Sequence, residues 1–151
     1  MVEVTNKAGH KFPSGYPSRL AWIQVLVETE AGDTLFASGL LTNDYDIEGR
    51  DMGYEPHHQV ITAPEQVQIY EMVMADVANN PTTILERADT KLKDNRLAPV
   101  GFTTAHYNYD TTAFAGNVLS DPDFNNANNV EGSGTDRVEY HVPLNQYSGA
   151  L

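Results

Sequence analysis

Period-two alternation is the dominant pattern along the chain, and it predicts strands. In Leu20–Glu28 the odd positions Ala21, Ile23, Val25 and Val27 are all apolar, while Leu20, Trp22, Gln24, Leu26 and Glu28 occupy the other side. Successive side chains of a strand point to opposite faces, so this segment reads as one largely buried strand. Glu30-Ala31-Gly32-Asp33 supplies turn residues, and Thr34–Ser38 is expected to return as the hairpin partner. Toward the C-terminus Val138, Tyr140, Val142 and Leu144 alternate with Arg137, Glu139, His141 and Pro143. That pattern predicts a half-exposed strand, placed at a sheet edge by Pro143, because proline cannot donate to a ladder. Over 67–77 the odd face carries Val67, Ile69, Glu71, Val73, Ala75 and Val77, which suits a strand, although Thr62 and Pro64 would also suit a helix start. The density of Val and Ile, and the turn Asn79-Asn80-Pro81, favour the strand. Residues 82–97 read either as strand and loop or as a short helix, since Leu85, Ala88 and Leu92 keep helical spacing.

Polar segments at 42–55, 98–116 and 120–135 separate these elements. Connections longer than about 12–15 residues usually bind something or are disordered. The fold class expected is all-β: an immunoglobulin-like antiparallel β-sandwich of about seven strands with long polar loops and at most one short helix. At 151 residues the chain suits one domain, 1–151, with a core large enough to fold alone.

Composition narrows the function. With 21 acidic against 9 basic residues and a net charge of −12, the surface repels phosphate backbones and anionic headgroups, so nucleic acid is not an expected partner. No apolar run approaches the roughly 18–20 residues of a membrane span, and no membrane insertion is expected. The absence of cysteine removes disulfides, zinc–thiolate sites, cysteine nucleophiles and every C-x-x-C-H haem-attachment motif. Met1-Val2-Glu3-Val4-Thr5 lacks the regions of a signal peptide and reads as a strand already under way, so a domain cut from a longer chain is expected.

The loop from Asp44 to Glu55 follows the spacing of a twelve-residue calcium loop. Asp44, Asp46 and Glu48 stand at positions 1, 3 and 5, Gly49 at 6, and Glu55 at 12, where a carboxylate can chelate with both oxygens. Ca²⁺ takes six to eight hard oxygens, and the glycine permits the turn that converges them. Glu at position 5, Asp51 at position 8 and Pro56 depart from the pattern; the alternative is a solvated acidic loop. A second acidic cluster, Asp121 and Asp123 with Asn125, Asn126, Asn128, Asn129, Glu131 and Asp136, reads as a turn-rich loop or a cation wrap. No zinc spacing links His10, His57, His58, His106 and His141, and no G-x-S-x-G or phosphate loop is present, so no enzyme activity is expected. Glu55 with Glu71 is the carboxylate pair a glycoside hydrolase would need. Tyr16, Trp22, Tyr45, Tyr54, Tyr107 and Tyr109 permit a sugar-stacking platform.

The phrase Asn6-Lys7-Ala8-Gly9-His10-Lys11-Phe12-Pro13-Ser14-Gly15-Tyr16-Pro17-Ser18-Arg19, followed by Ala21-Trp22-Ile23, resembles the haem-free C-terminal domain of bacterial multihaem c-type cytochromes. Tyr54-Glu55-Pro56-His57-His58, Gln66–Glu71, Lys93–Leu97 and Gly101-Phe102 look like later landmarks of the same family, in order over about residues 4–140. The resemblance implies a periplasmic or cell-surface role in electron transfer, with haem c carried by other domains of the parent polypeptide and none bound covalently here. It implies haem-bearing domains and redox proteins as partners. His10 would be the first candidate for a distal haem ligand, followed by His57 and His58, because an adjoining domain can complete iron coordination. Arg19 and Arg96 would pair with haem propionates, or else with the chain's own acids. The competing class is a calcium-stabilised carbohydrate- or matrix-binding sandwich; an acidic hydrolase comes third.

Overall fold

Alternation along residues 25–28 and 34–38 closes the hairpin that the sequence predicts, and it sets the pattern of the whole chain. A computed structural model describes residues 1–15, 17–50 and 53–144. Tyr16 of the Gly-Pro-rich motif and Asp51 of the acidic loop lie outside the described residues. Among the described residues eleven strands form: β1 (Val2–Thr5), β2 (Leu20–Trp22), β3 (Val25–Glu28), β4 (Thr34–Ser38), β5 (Val60–Ile61), β6 (Ile69–Ala75), β7 (Pro81–Thr82), β8 (Thr90–Asp94), β9 (Asn126–Ala127), β10 (Val130–Glu131) and β11 (Thr135–Tyr140). One helical turn, α1 (Tyr109–Thr112), and two 3-10 turns at Leu85–Arg87 and Asn117–Ser120 complete the described elements. The fold is all-β. No described helix is long and apolar enough to cross a membrane.

β3 and β4 pair antiparallel from Val25↔Ser38 to Glu28↔Thr34, with a bulge at Val27/Glu28. β6 pairs with β2 through Ile69–Glu71, with β7 at Met74–Ala75 and with β8 over Met72–Ala75. A third sheet has the order β1-β11-β5. Its β11–β5 pair is parallel, unlike the antiparallel pairing expected throughout. β11 is therefore flanked on both sides and is not an edge, and Pro143 lies beyond its last residue. The strand count exceeds seven for two reasons. Four strands, β5, β7, β9 and β10, are only two residues long, the last two inside the 120–135 segment that reads as a loop, and Leu20–Glu28 breaks at Ile23-Gln24, where the Ile23 amide bonds to Gln68 O at 3.0 Å. Gly39 lets the break happen: at φ +71° it packs so close that a Cβ would sit 2.6 Å from Ile23 O, while its carbonyl accepts from Trp22 Nε1 at 2.9 Å.

Three apolar clusters hold these layers. Phe36, Ile61 and Val138 join the β3–β4 hairpin to the β1-β11-β5 sheet, with Val25, Val27 and Tyr140 packed around them. Full burial of such side chains contributes about 1.5–3 kcal/mol each. Tyr70, Leu97, Val118 and Phe124 join β6 to the later loops, and Ile47, Val67 and Ile69 join it to the acidic loop and Trp22. β6 is covered on both faces, so residues 67–71 are all buried, including Gln68 and Glu71. Polar groups at such positions need partners, and those partners make up the site.

Candidate functional site

The loop that carries His10 is fixed from below. Asn6, which is buried, donates through Nδ2 to His10 O at 2.8 Å and to Leu97 O at 2.9 Å, and its Oδ1 accepts from the Ala8 amide at 2.8 Å. Phe12 exchanges both backbone hydrogen bonds with Leu97 at 2.9 Å. Lys11 Nζ bonds to Asp94 Oδ2 at 3.1 Å and to Thr112 O at 2.6 Å, and lies 4.2 Å from the centre of the Phe114 ring. Burial pulls the Lys11 ammonium down to about 8, against the opposing pull of Asp94. His10 itself is exposed. Its Nδ1 lies 2.9 Å from Lys11 O, and a carbonyl only accepts, so Nδ1 carries the proton of the neutral ring, in which Nε2 keeps its lone pair. That is the tautomer a metal ligand needs. A cavity of about 560 Å³ opens beside Gly9, lined by Ala8, Pro99, Val100, Phe102 and His106 among others.

His57 is the reverse case, with a side chain 1% exposed. Nδ1 meets Gln68 Nε2 at 2.8 Å and Asn95 Nδ2 at 3.0 Å, while Nε2 meets Asp121 Oδ2 at 2.9 Å. Both ring nitrogens are occupied, so His57 is not available as a haem ligand. His58 is half-buried, with Nε2 held by Glu55 Oε1 at 2.8 Å. Arg96 forks onto Asp94 with two bonds of 2.8 Å, an internal ion pair in place of a propionate contact. Arg19 is exposed and reaches Ser14 O at 3.3 Å.

Among the described residues the acidic loop is held by hydrogen bonds to its own and neighbouring backbone. Thr42 N bonds to Asp46 O at 2.8 Å, Glu48 N to Leu40 O at 2.8 Å, and Asp46 Oδ1 accepts from the Ile47 amide at 2.9 Å. Glu55 is buried, and its Oε1 accepts from His58 and from the Val67 amide at 3.3 Å. Among the described residues Asp44, Asp46, Glu48 and Glu55 are not gathered into a metal-sized group; the one such group is His57, Asp121 and Asp136. Gly49 has a different reason to be glycine. At φ +84°, a Cβ there would lie 2.7 Å from Glu65 O. Glu71, the other half of the suggested hydrolase pair, is held by Lys93 at 3.0 Å.

Gln68, Asn95 and Lys93 carry no site role in the sequence pattern, and Asp136 stands there only within the second acidic cluster. Lys93 is 1% exposed, gives its three N–H bonds to Glu55 O, Ile69 O and Glu71 Oε1, and burial lowers its pKa. The available signal was a polar residue in the inward register of an apolar strand: Asp136 shares its face with Val138, and both are fully buried. Asn125, Asn128 and Asn129 of the second acidic cluster take left-handed φ values of 53°, 54° and 62°, as turn residues do; the last two close the β9–β10 hairpin. Compared with known proteins, the chain matches no family model, no curated protein and no solved structure.

Proposed function

We propose that this chain is a non-catalytic accessory domain of a multihaem c-type cytochrome, an exported electron-transfer protein, and that it packs against haem-bearing domains and offers His10 as a distal ligand. The motif blocks that resemble that family support this reading, and the observation that carries it is the state of His10. Its carbonyl is held by Asn6 Nδ2, which also bonds to Leu97 O, its Nδ1 proton is committed to Lys11 O, and in the neutral ring its Nε2 has a lone pair on an exposed side chain. The apolar cavity beside Gly9 offers a surface on which a flat macrocycle edge would lose water. Arg19, exposed on the surface, would be the cation to pair with a propionate. A haem, when bound, supplies the one-electron couple; this chain's residues would ligate, shield and orient it. The acidic surface suits docking of basic redox proteins.

A haem peptide with one axial histidine and an open sixth position tests the assignment. Titrated with the chain, it should convert from high-spin to low-spin spectra, and His10→Ala should abolish the conversion while His58→Ala leaves it intact. Conversion that persists in His10→Ala would remove His10 as the ligand.

A further inference from the structure

The buried cluster around His57 has a charge that its own geometry does not balance. Gln68 is oriented by the His58 amide, which donates to Oε1 at 2.7 Å, and Asn95 by the Glu71 amide, which donates to Oδ1 at 2.9 Å. Both side chains therefore present N–H groups to His57 Nδ1. A nitrogen that accepts from two amides carries no proton, so His57 is a neutral imidazole with Nε2–H donating to Asp121 Oδ2. Asp121 Oδ1 accepts from the Asp123 amide at 2.8 Å. Asp136 Oδ2 accepts from Tyr70 Oη at 2.7 Å and Gln68 Nε2 at 3.2 Å, but Asp136 Oδ1 is buried with no partner among the described residues. Ligand atoms of His57, Asp121 and Asp136 lie within 4.8 Å of one another, with side-chain exposures of 1% and 2% for the first two and none for Asp136.

Two carboxylates buried this close, facing a neutral imidazole and no lysine or arginine of the chain, are not stable as a dianion. We propose that Asp121 and Asp136 share one proton, carried by Asp136 as a neutral carboxylic acid, and that this pair is a pH-sensitive clamp joining β11, β6 and the loop after Ser120. The groups facing Asp136 are His57 from the segment before β5, Gln68 beside β6, Tyr70 from β6 and Asp121 from the loop. None of them is a lysine or arginine. Burial is the largest influence and pushes the Asp136 carboxyl above its ordinary range; any positive charge on His57 and the Tyr70 hydrogen bond pull the other way, and the Asp121 charge adds to the rise. A carboxyl raised in the folded state stabilises below its unfolded value of 3.8, and the contribution is lost as pH rises through the folded value. A divalent cation would also neutralise the pair. Metal on Nε2, however, requires the proton on Nδ1, where the two amide N–H groups already sit.

Asp136→Asn keeps the shape and replaces the carboxyl proton with an amide N–H. Its Tm should exceed that of the native chain by about 3 °C or more near pH 8, and the gap should close near pH 4.5. Glu30→Gln, which removes an exposed charge, should show no such pH-dependent gap. At neutral pH the native chain should also show the infrared carbonyl band of a protonated carboxylic acid, shifted in D₂O; this reading needs no variant. Absence of that band, or an Asp136→Asn Tm lowered equally at both pH values, overturns the proposal. So does a Tm raised by Ca²⁺, Mn²⁺ or Zn²⁺ in the native chain and not in Asp136→Asn, since the pair would then hold a metal in place of a proton.

Discussion

His10 and His57 each commit one ring nitrogen to a fixed oxygen, but the second nitrogen is left open at the surface in His10 and is enclosed by Gln68 and Asn95 in His57. Both lie on rigid backbone, so rigidity does not separate them. What separates them is which partner meets the second nitrogen. A carbonyl on Nδ1 leaves Nε2 as a lone pair for a metal, whereas two amide donors on Nδ1 turn the ring into a structural bridge. Family-like spacing selected both histidines, and only the hydrogen-bond directions distinguish their uses.

The contrast can be broken by mutation, and the largest effect belongs to the buried side. His57→Ala leaves a cavity and orphans Gln68, Asn95 and Asp121, and should cost about 3–5 kcal/mol in urea unfolding. Asn6→Ala attacks the strap under His10, losing buried bonds to His10 O and Leu97 O; a cost of about 1–3 kcal/mol is expected, together with weaker haem-peptide binding by the altered loop. Lys11 gives a smaller, pH-dependent effect. Its folded pKa of about 8 lies below the ordinary 10.5, so its contribution to stability is lost as pH falls through about 8 and grows between there and 10.5. Unfolding free energies measured across that window should rise less in Lys11→Met than in the native chain. His10→Ala should change stability by no more than about 0.5 kcal/mol while removing the haem-peptide spectral change. A large loss of stability in that variant would make His10 a structural residue like His57.

Local elements were readable from the sequence where one face met the core and the other met water. The β3–β4 hairpin follows from alternation and the turn at Gly32, whose φ is +89°, and β6 lies within the stretch 67–77 whose Val and Ile residues favour a strand. The parallel β11–β5 pairing was not readable, because Glu139↔Val60 joins segments with no local signal between them. Nor was the break at Ile23, which depends on how closely Gly39 approaches. The calcium-loop spacing records residue types and says nothing of which groups they meet: Glu55 has the right position for a chelating carboxylate but turns inward to His58 and the Val67 amide. The His57 cluster gathers residues 57, 68, 95, 121 and 136, whose only shared mark in the sequence is polarity at positions that strands would bury.

Lys93, with all three ammonium hydrogens taken by its own chain, also bears on how this protein can be labelled. Of the four lysines, Lys93 is sealed in the core, Lys11 is held by Asp94 and Thr112 O, and Lys91 Nζ is engaged by Ala113 O at 2.8 Å, while Lys7 is exposed. Acylating reagents applied to the folded chain should therefore react at Lys7 before any other side chain. Lys7 stands three residues before His10, so a fluorophore attached there would sit on the candidate haem face and report by quenching when a porphyrin arrives.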